Sequence, residues 1–262
     1  MQLTVLGSRG SIPVARADEM RYGGETSCYQ VDTEGATLFL DAGTGLRHAV
    51  GPFRDGTVHI LISHAHADHL LGLLMFSGLT DPAGRVILYG RDVDGIPMAD
   101  QLDRLISPPI WPLSLSGYPA RTEVRSLVFP LRIGPFTVTG MDSCHPGGSA
   151  ILRVEAGGKS LVYATDFEHT DRKLRELASF AAGCDLLMYD AQYTPLEYEQ
   201  KKGFGHSTAE MGLRAQRDSG AKRLLLIHHD PGHSDDCLRA LEAALPDAAS
   251  ASYAREGEVI QL

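Results

Sequence analysis

The sequence predicts a layered α/β fold, and three observations lead there. Short apolar runs that read as strands alternate with helical stretches through both halves of the chain. Several of those runs stop on a histidine or an aspartate, as expected where loops gather polar groups on a rigid scaffold. The 28 glycines and 14 prolines are spread along the chain and form no linker, so the 262 residues (1–262) read as a single domain able to bury a sizeable core.

In chain order, the first half has strands at 2–6, 28–32, 36–41, 58–62 and 85–89, with helices near 44–50, 68–77 and 96–106. The second half has strands near 123–128, 136–141, 149–155, 159–164, 185–189, 223–227 and 258–261, with helices near 171–180, 208–218 and 235–245. Ser207-Thr208-Ala209-Glu210 fits a capping box, which starts a helix just after His206 and sets that histidine at a helix N-terminus, where an anion is favoured. Between the halves, 107–119 breaks the pattern: its four prolines forbid a regular helix or central strand, and it holds the only tryptophan. It reads either as a surface loop packing Trp111 onto the core or as a lid in which Ile110, Trp111 or Tyr118 touches a base or sugar.

Composition narrows the function. Hydrophobic residues are 43% and charged residues 22%, ordinary for a soluble globular protein. No apolar run approaches the roughly 20 residues that span a bilayer, and no signal-peptide core is visible, so no membrane partner is expected. Cys28, Cys144, Cys184 and Cys237 show no Cys-x-x-Cys spacing, which argues against a zinc ribbon and for a cytoplasmic location. The net charge of -9 and the lack of a broad Lys/Arg stretch weigh against long nucleic acid as a partner. Lys201-Lys202 is the only paired lysine and reads equally as a solvated loop. A small anionic substrate stays compatible, because bound divalent ions locally invert the field. The oligomeric state is open, a homodimer included.

The chemistry concentrates at residues 64–69, His-Ala-His-Ala-Asp-His, between a strand ending at Ser63 and an apolar stretch from Leu70 that reads as a helix opening. Imidazole and carboxylate at this density suit zinc, manganese or iron. Four candidate ligands exceed what one tetrahedral ion needs if water also binds, which points to two ions sharing a water. Matching candidates follow at the ends of apolar runs: His145, Asp166 and His228. His229 beside it stays an alternative, since neighbouring side chains on an extended segment point to opposite sides and only one of the two should face the metals. Asp230 and His233 read as loop residues, and His48, His59 and His169 as ordinary surface or strand histidines.

On these residues the chain resembles the metallo-β-lactamase-fold hydrolases. The His-x-His-x-Asp-His signature is complete, and Leu3–Gly10 and Leu38–Gly45 resemble the family's opening strand with its glycine loop and the strand ending in Asp-x-Gly. The resemblance implies a four-layer αββα sandwich. It further implies that His64, His66 and His145 hold one divalent ion and Asp68, His69 and His228 a second, with Asp166 bridging; the ions are zinc or manganese, iron being admissible.

Within the family the chain is most similar to the ribonuclease Z and phosphoribosyl cyclic phosphodiesterase branch. Asp166 stands where lactamases commonly have cysteine, Gly205-His206-Ser207-Thr208 resembles the branch's His-Ser-Thr element, and Tyr189-Asp190-Ala191-Gln192-Tyr193 its acidic-Ala-aromatic element. Tyr22-Gly23-Gly24-Glu25-Thr26-Ser27-Cys28 resembles a Gly-Gly-Asn-Thr-Ser-Cys loop, with Glu25 in place of Asn.

The expected activity is phosphodiesterase cleavage of a small cyclic nucleotide or cyclic ribose phosphate by a metal-activated hydroxide. Asp68 orients the nucleophile, His206 serves the phosphate or the leaving group, and Asp190 orients His206. Asp41 either orients a ligand histidine or caps the turn at Gly43. The alternatives are ribonuclease Z-like RNA processing, lactone or thioester hydrolysis, and a metal-binding regulatory module without turnover.

Overall fold

The computed structural model describes residues 1–49, 56–247 and 249–262; Val50, at the end of the helix expected near 44–50, lies outside them. Two seven-stranded mixed sheets face each other. The first takes β1 (Gln2–Gly7), β2 (Cys28–Thr33), β3 (Ala36–Leu40), β4 (Thr57–Leu61), β5 (Arg85–Gly90), β6 (Arg121–Ser126) and, at the far edge, β14 (Val259–Gln261), in the order β14-β1-β2-β3-β4-β5-β6. The second takes β7 (Leu131–Ile133), β8 (Phe136–Asp142), β9 (Ala150–Ala156), β10 (Lys159–Ala164), β11 (Leu186–Asp190), β12 (Leu224–Ile227) and β13 (Ala251–Tyr253), in the order β13-β12-β11-β10-β9-β8-β7. Strands β3 to β6 and β10 to β13 are parallel, so each sheet has one parallel and one antiparallel part.

The layering follows from alternation along each strand. Leu61, Ile87 and Tyr89 join Leu161, Tyr163, Met188 and Leu225 in the core between the sheets. Their neighbours Val58, Ile60, Val86 and Leu88 face outward and pack on Leu73, Phe76, Met98 and Leu102. On the other sheet Val162, Leu187 and Leu226 pack on Leu174, Ala215 and Leu238, from α3 (Asp171–Phe180), α5 (Ala209–Ser219) and α6 (Asp235–Ala243). Parallel strands buried on both faces need these near-continuous apolar runs. The result is the expected αββα sandwich, each fully buried Leu or Ile contributing roughly 1.5–3 kcal/mol.

Several elements differ from the sequence expectation. Residues 44–48 form a 3₁₀ turn, and the helix expected at 68–77 is two 3₁₀ turns, 67–69 and 71–75, before the short α1 (Ser77–Thr80). The cause is backbone diversion: Ala42 N–H takes the carbonyl of His69 and Ala42 O takes the N–H of Gly72, both at 2.9 Å, so an α-helical ladder cannot close there. Helix α2 (Met98–Leu105) starts two residues later than expected. Helix α4 (Pro195–Lys201) was not anticipated, although Thr194, Pro195 and Glu197 make a capping box with proline at the first turn. Strands β7 and β13 are only three residues each, too short to show a period.

The 107–119 segment is tied down. Trp111 Nε1 donates to Tyr118 Oη at 2.7 Å, and Tyr118 Oη to the carbonyl of Leu74 at 2.9 Å, with Trp111 packed on the outer apolar layer. This is the surface-loop arrangement and not a free lid. Elsewhere, the fully buried Arg9 donates to the carbonyls of Gly23, Asp230, His233 and Glu19, which binds the loop after β1 to the loop after β12.

Candidate metal centre

The C-terminal ends of the parallel strands of both sheets meet at one place, and the polar residues cluster there. Asp41 follows β3 and residues 63–69 follow β4; His145, Asp166, Asp190 and His228 lie at or just after the ends of β8, β10, β11 and β12. Asp41, Asp166 and His228 have φ of 59°, 50° and 64°, a left-handed conformation that costs non-glycine residues roughly 1–2 kcal/mol each. Gly10 lies so close to His228 that a Cβ would come within 2.3 Å of the imidazole, which reserves that position for glycine.

Hydrogen bonding selects one tautomer for four histidines. His69 Nδ1 donates to Asp41 Oδ2 at 2.7 Å, His145 Nδ1 to the carbonyl of Gly205 at 3.1 Å, and His228 Nδ1 to Gln192 Oε1 at 3.2 Å. Ser63 Oγ gives its proton to Asp41 Oδ2, so it accepts from His64 Nδ1 at 3.1 Å. With Nδ1 protonated on an outer acceptor, each ring turns an Nε2 lone pair inward. Asp41 also accepts from Ser63 N–H at 2.6 Å and Tyr163 Oη at 2.7 Å, while Gly43 N–H goes to the carbonyl of Ser27; among the described residues the Asp41 carboxylate's hydrogen bonds are those of the orienting role and not of a cap on the turn.

Those lone pairs converge on Asp166. Its Oδ1 lies 3.6 Å from Nε2 of both His64 and His145, and its Oδ2 lies 3.1 Å from Nε2 of His69 and 3.3 Å from that of His228. Asp68 Oδ2 is 3.3 Å from His69 Nε2 and 3.2 Å from His228 Nε2. His66 Nδ1 comes to 3.1 Å from His145 Nε2. The buried Nε2 atoms of His64 and His69 make no hydrogen bond of acceptable geometry. Acceptors facing acceptors without a proton between them need cations. The donor set therefore fits divalent ions: His64, His66, His145 and Asp166 form one group of mutual reach, Asp68, His69 and His228 another, and Asp166, Asp190, His206 and His228 a third.

Without an ion the same carboxylates would draw protons onto His69 and His228 instead, so cation and proton compete for these nitrogens. Burial would raise Asp166, but His228, His69 and His64 hold it well below the usual carboxylate range. Burial likewise opposes ionisation of Asp68, and His69 and His228 outweigh it. His228 would be lowered by burial, yet Asp166 and Asp68 lift it to about 9. His64 goes the other way: burial drives it well below its ordinary value, so it stays a neutral donor atom.

His206 stands beside this cluster with Nδ1 on Asp190 Oδ2 at 2.8 Å, and no hydrogen bond engages its Nε2 among the described residues. The helix behind it begins one residue later than the sequence suggested: Thr208 caps α5 by accepting from Met211 N–H, while Ser207 Oγ bonds Tyr189 Oη and His169 Nδ1, both at 2.8 Å. His169 thus braces the site and is no plain surface residue. His229 turns away, with Nε2 on the carbonyl of Ala254 at 2.8 Å and its ring against Tyr22 and Tyr253. His233 pairs with Glu197 and Asp230 with Lys201, while His59 stacks on Tyr89. Glu25 faces Arg47 and His48 at the rim. Sequence reasoning missed Ser63, Gln192, Tyr163 and Ser11, whose N–H donates to Asp68 Oδ2 at 2.7 Å. Only Gln192 carried a signal, by lying inside the Tyr189–Tyr193 element.

Residues 37–229 match the family described as beta-lactamase superfamily domain. A probable metallo-hydrolase of Bacillus subtilis, YhfI, is 25% identical over 87% of this chain and 86% of its own length, and its crystal structure superposes with a TM-score of 0.75 over 99% and 98% of the two chains. A ribonuclease Z of Haloferax volcanii is 24% identical over 93% of this chain and 89% of that protein. A structure described as a diphosphatase from the PhnP family reaches a TM-score of 0.71 at 19% identity, covering 100% and 97%. No helix among the described residues is long and apolar enough to cross a membrane.

Proposed function

We propose that this chain, which belongs to the beta-lactamase superfamily, is a phosphodiesterase of small substrates such as cyclic nucleotides or cyclic ribose phosphates, working with two divalent ions, zinc or manganese. The observation that supports the reading most is the division of Asp166: one carboxylate oxygen serves His64 and His145, the other His69 and His228. His64, His66, His145 and Asp166 would hold one ion; Asp68, His69, His228 and the other Asp166 oxygen would hold the second. Bound there, the ions would acidify water and offset charge growing on a phosphoryl oxygen.

The chain's own groups supply the rest. Asp68 Oδ2 accepts from the N–H of Ser11 and lies 3.2 Å from His228 Nε2 and 3.3 Å from His69 Nε2, while no hydrogen bond engages its Oδ1 among the described residues. That oxygen accepts a proton from the attacking water. His206, oriented by Asp190, presents Nε2 to the substrate and gives a proton to the departing oxygen. A lactone has no phosphate for His206 to meet. The ribonuclease Z likeness adds precursor transfer RNA to the substrates to be tried, but the net charge of -9 disfavours a long polyanion.

The test is a substrate panel with manganese- or zinc-loaded protein: bis-p-nitrophenyl phosphate, 2′,3′- and 3′,5′-cyclic nucleotides, precursor transfer RNA and a lactone. Turnover of the small diesters is expected. Turnover of the lactone alone would overturn the reading.

A further inference from the structure

Helix α2 offers one face to the histidine cluster. Gln101, Arg104 and Leu105, spaced i, i+3 and i+4, line a cavity of ≈ 350 Å³ that is also lined by His64 and His66. The volume sits at the lower end of the roughly 300–1,000 Å³ found for small-molecule sites. Val93, Ile96 and Leu105 supply apolar surface. Arg104 and Asp94 supply one charge of each sign, and neither side chain makes a hydrogen bond or ion pair among the described residues.

We propose that this cavity receives the heterocyclic base of a nucleotide whose phosphodiester lies at the histidine cluster, a conclusion that rests on the phosphodiesterase reading. The argument is one of charge and shape. A second phosphate would meet Asp94 as well as Arg104 and gain little from a subsite with no net charge. A base gains from both: the guanidinium fork bonds ring-edge acceptors, the carboxylate bonds amino or imino donors, and the flat faces cover the apolar wall. The wall is set before any ligand arrives. Gln101 Nε2 donates to the carbonyls of Arg91 and Ile96, each at 2.9 Å, and Asp92 Oδ1 accepts from Met98 N–H at 3.0 Å, which ties residues 91–97 to the helix.

The experiment is calorimetric binding of product-like probes to the manganese-loaded protein, comparing nucleoside 3′-monophosphates with ribose 5-phosphate. The nucleotides are expected to bind about tenfold more tightly or better, from one charge-assisted contact to the base. Arg104→Ala and Asp94→Ala should each erase that preference, and Ile96→Trp, which fills the cavity, should do the same. Arg175→Ala, on the exposed side of α3, is the control and should keep it. Equal binding of ribose 5-phosphate, or a preference that survives Arg104→Ala in folded, metal-replete protein, overturns the base subsite. Absence of turnover on every phosphodiester would sink the proposed function instead, while the binding comparison still decides the cavity.

Discussion

The hexapeptide His64–His69 and the returning half of the chain supply one centre by opposite means. The hexapeptide brings His64, His66, Asp68 and His69 from a single loop, which closes in a 3₁₀ turn at 67–69 with the carbonyl of His69 on Ala42 N–H. The returning half delivers its groups singly: His145 after β8, Asp166 after β10, Asp190 at the end of β11, His206 ahead of α5 and His228 after β12. Local backbone shape arranges the first set; only the assembled second sheet arranges the other. A cluster built in both ways has a robust side and a side that depends on distant packing.

The comparison can be broken most sharply at His206. His206→Ala should lower kcat by about 10²- to 10⁴-fold with the wild-type metal content retained, measured by turnover together with elemental analysis. If the ions leave with the imidazole, His206 is a ligand of the distributed half and not a proton donor. Next in size is the orienting layer. Asp41→Ala, on the hexapeptide side, should weaken metal affinity by about 10- to 100-fold in competition with a chelator. Gln192→Ala, which removes a single bond to His228, should weaken it less; the reverse order would mean that the returning half governs affinity.

A smaller effect separates neighbours. His229→Ala should lower stability by about 1–3 kcal/mol in denaturant titration, because the carbonyl of Ala254 loses its buried donor, and leave the metal stoichiometry intact. His228→Ala should lose metal. Smallest of all, Trp111→Ala should move KM for a diester by less than about twofold, a change worth a few tenths of a kcal/mol, since its indole is bound to Tyr118 away from the cavity.

Much of this was legible in the chain. The apolar runs located most strands to within a residue or two, because strands buried on both faces leave a continuous signature. His64, His66, Asp68, His69, His145, Asp166 and His228 could be named because each ends or follows such a run, and the structure brings all seven together. What was not legible depends on contacts that no local pattern encodes. The helix expected at 68–77 has the right apolar content and fails because Ala42 captures its hydrogen bonds. The choice between two roles for Asp41 needed Tyr163, 122 positions away, to complete the carboxylate's partners. The α2 wall of the cavity left no trace, since Gln101, Arg104 and Leu105 are ordinary residues that meet His64 and His66 only in three dimensions.

Arg9 sets an order of assembly. Its guanidinium finds its carbonyl partners on both sides of the chain, the furthest 224 positions away at His233. A nascent polypeptide halted before residue 228 would therefore carry a cationic group with half its acceptors still unmade, beside a histidine loop still lacking its last imidazole. Closure of the N-terminal loop and completion of the Asp68, His69 and His228 group thus wait on the same late stretch of chain, whereas the His64, His66, His145 and Asp166 group is already complete in sequence by residue 166.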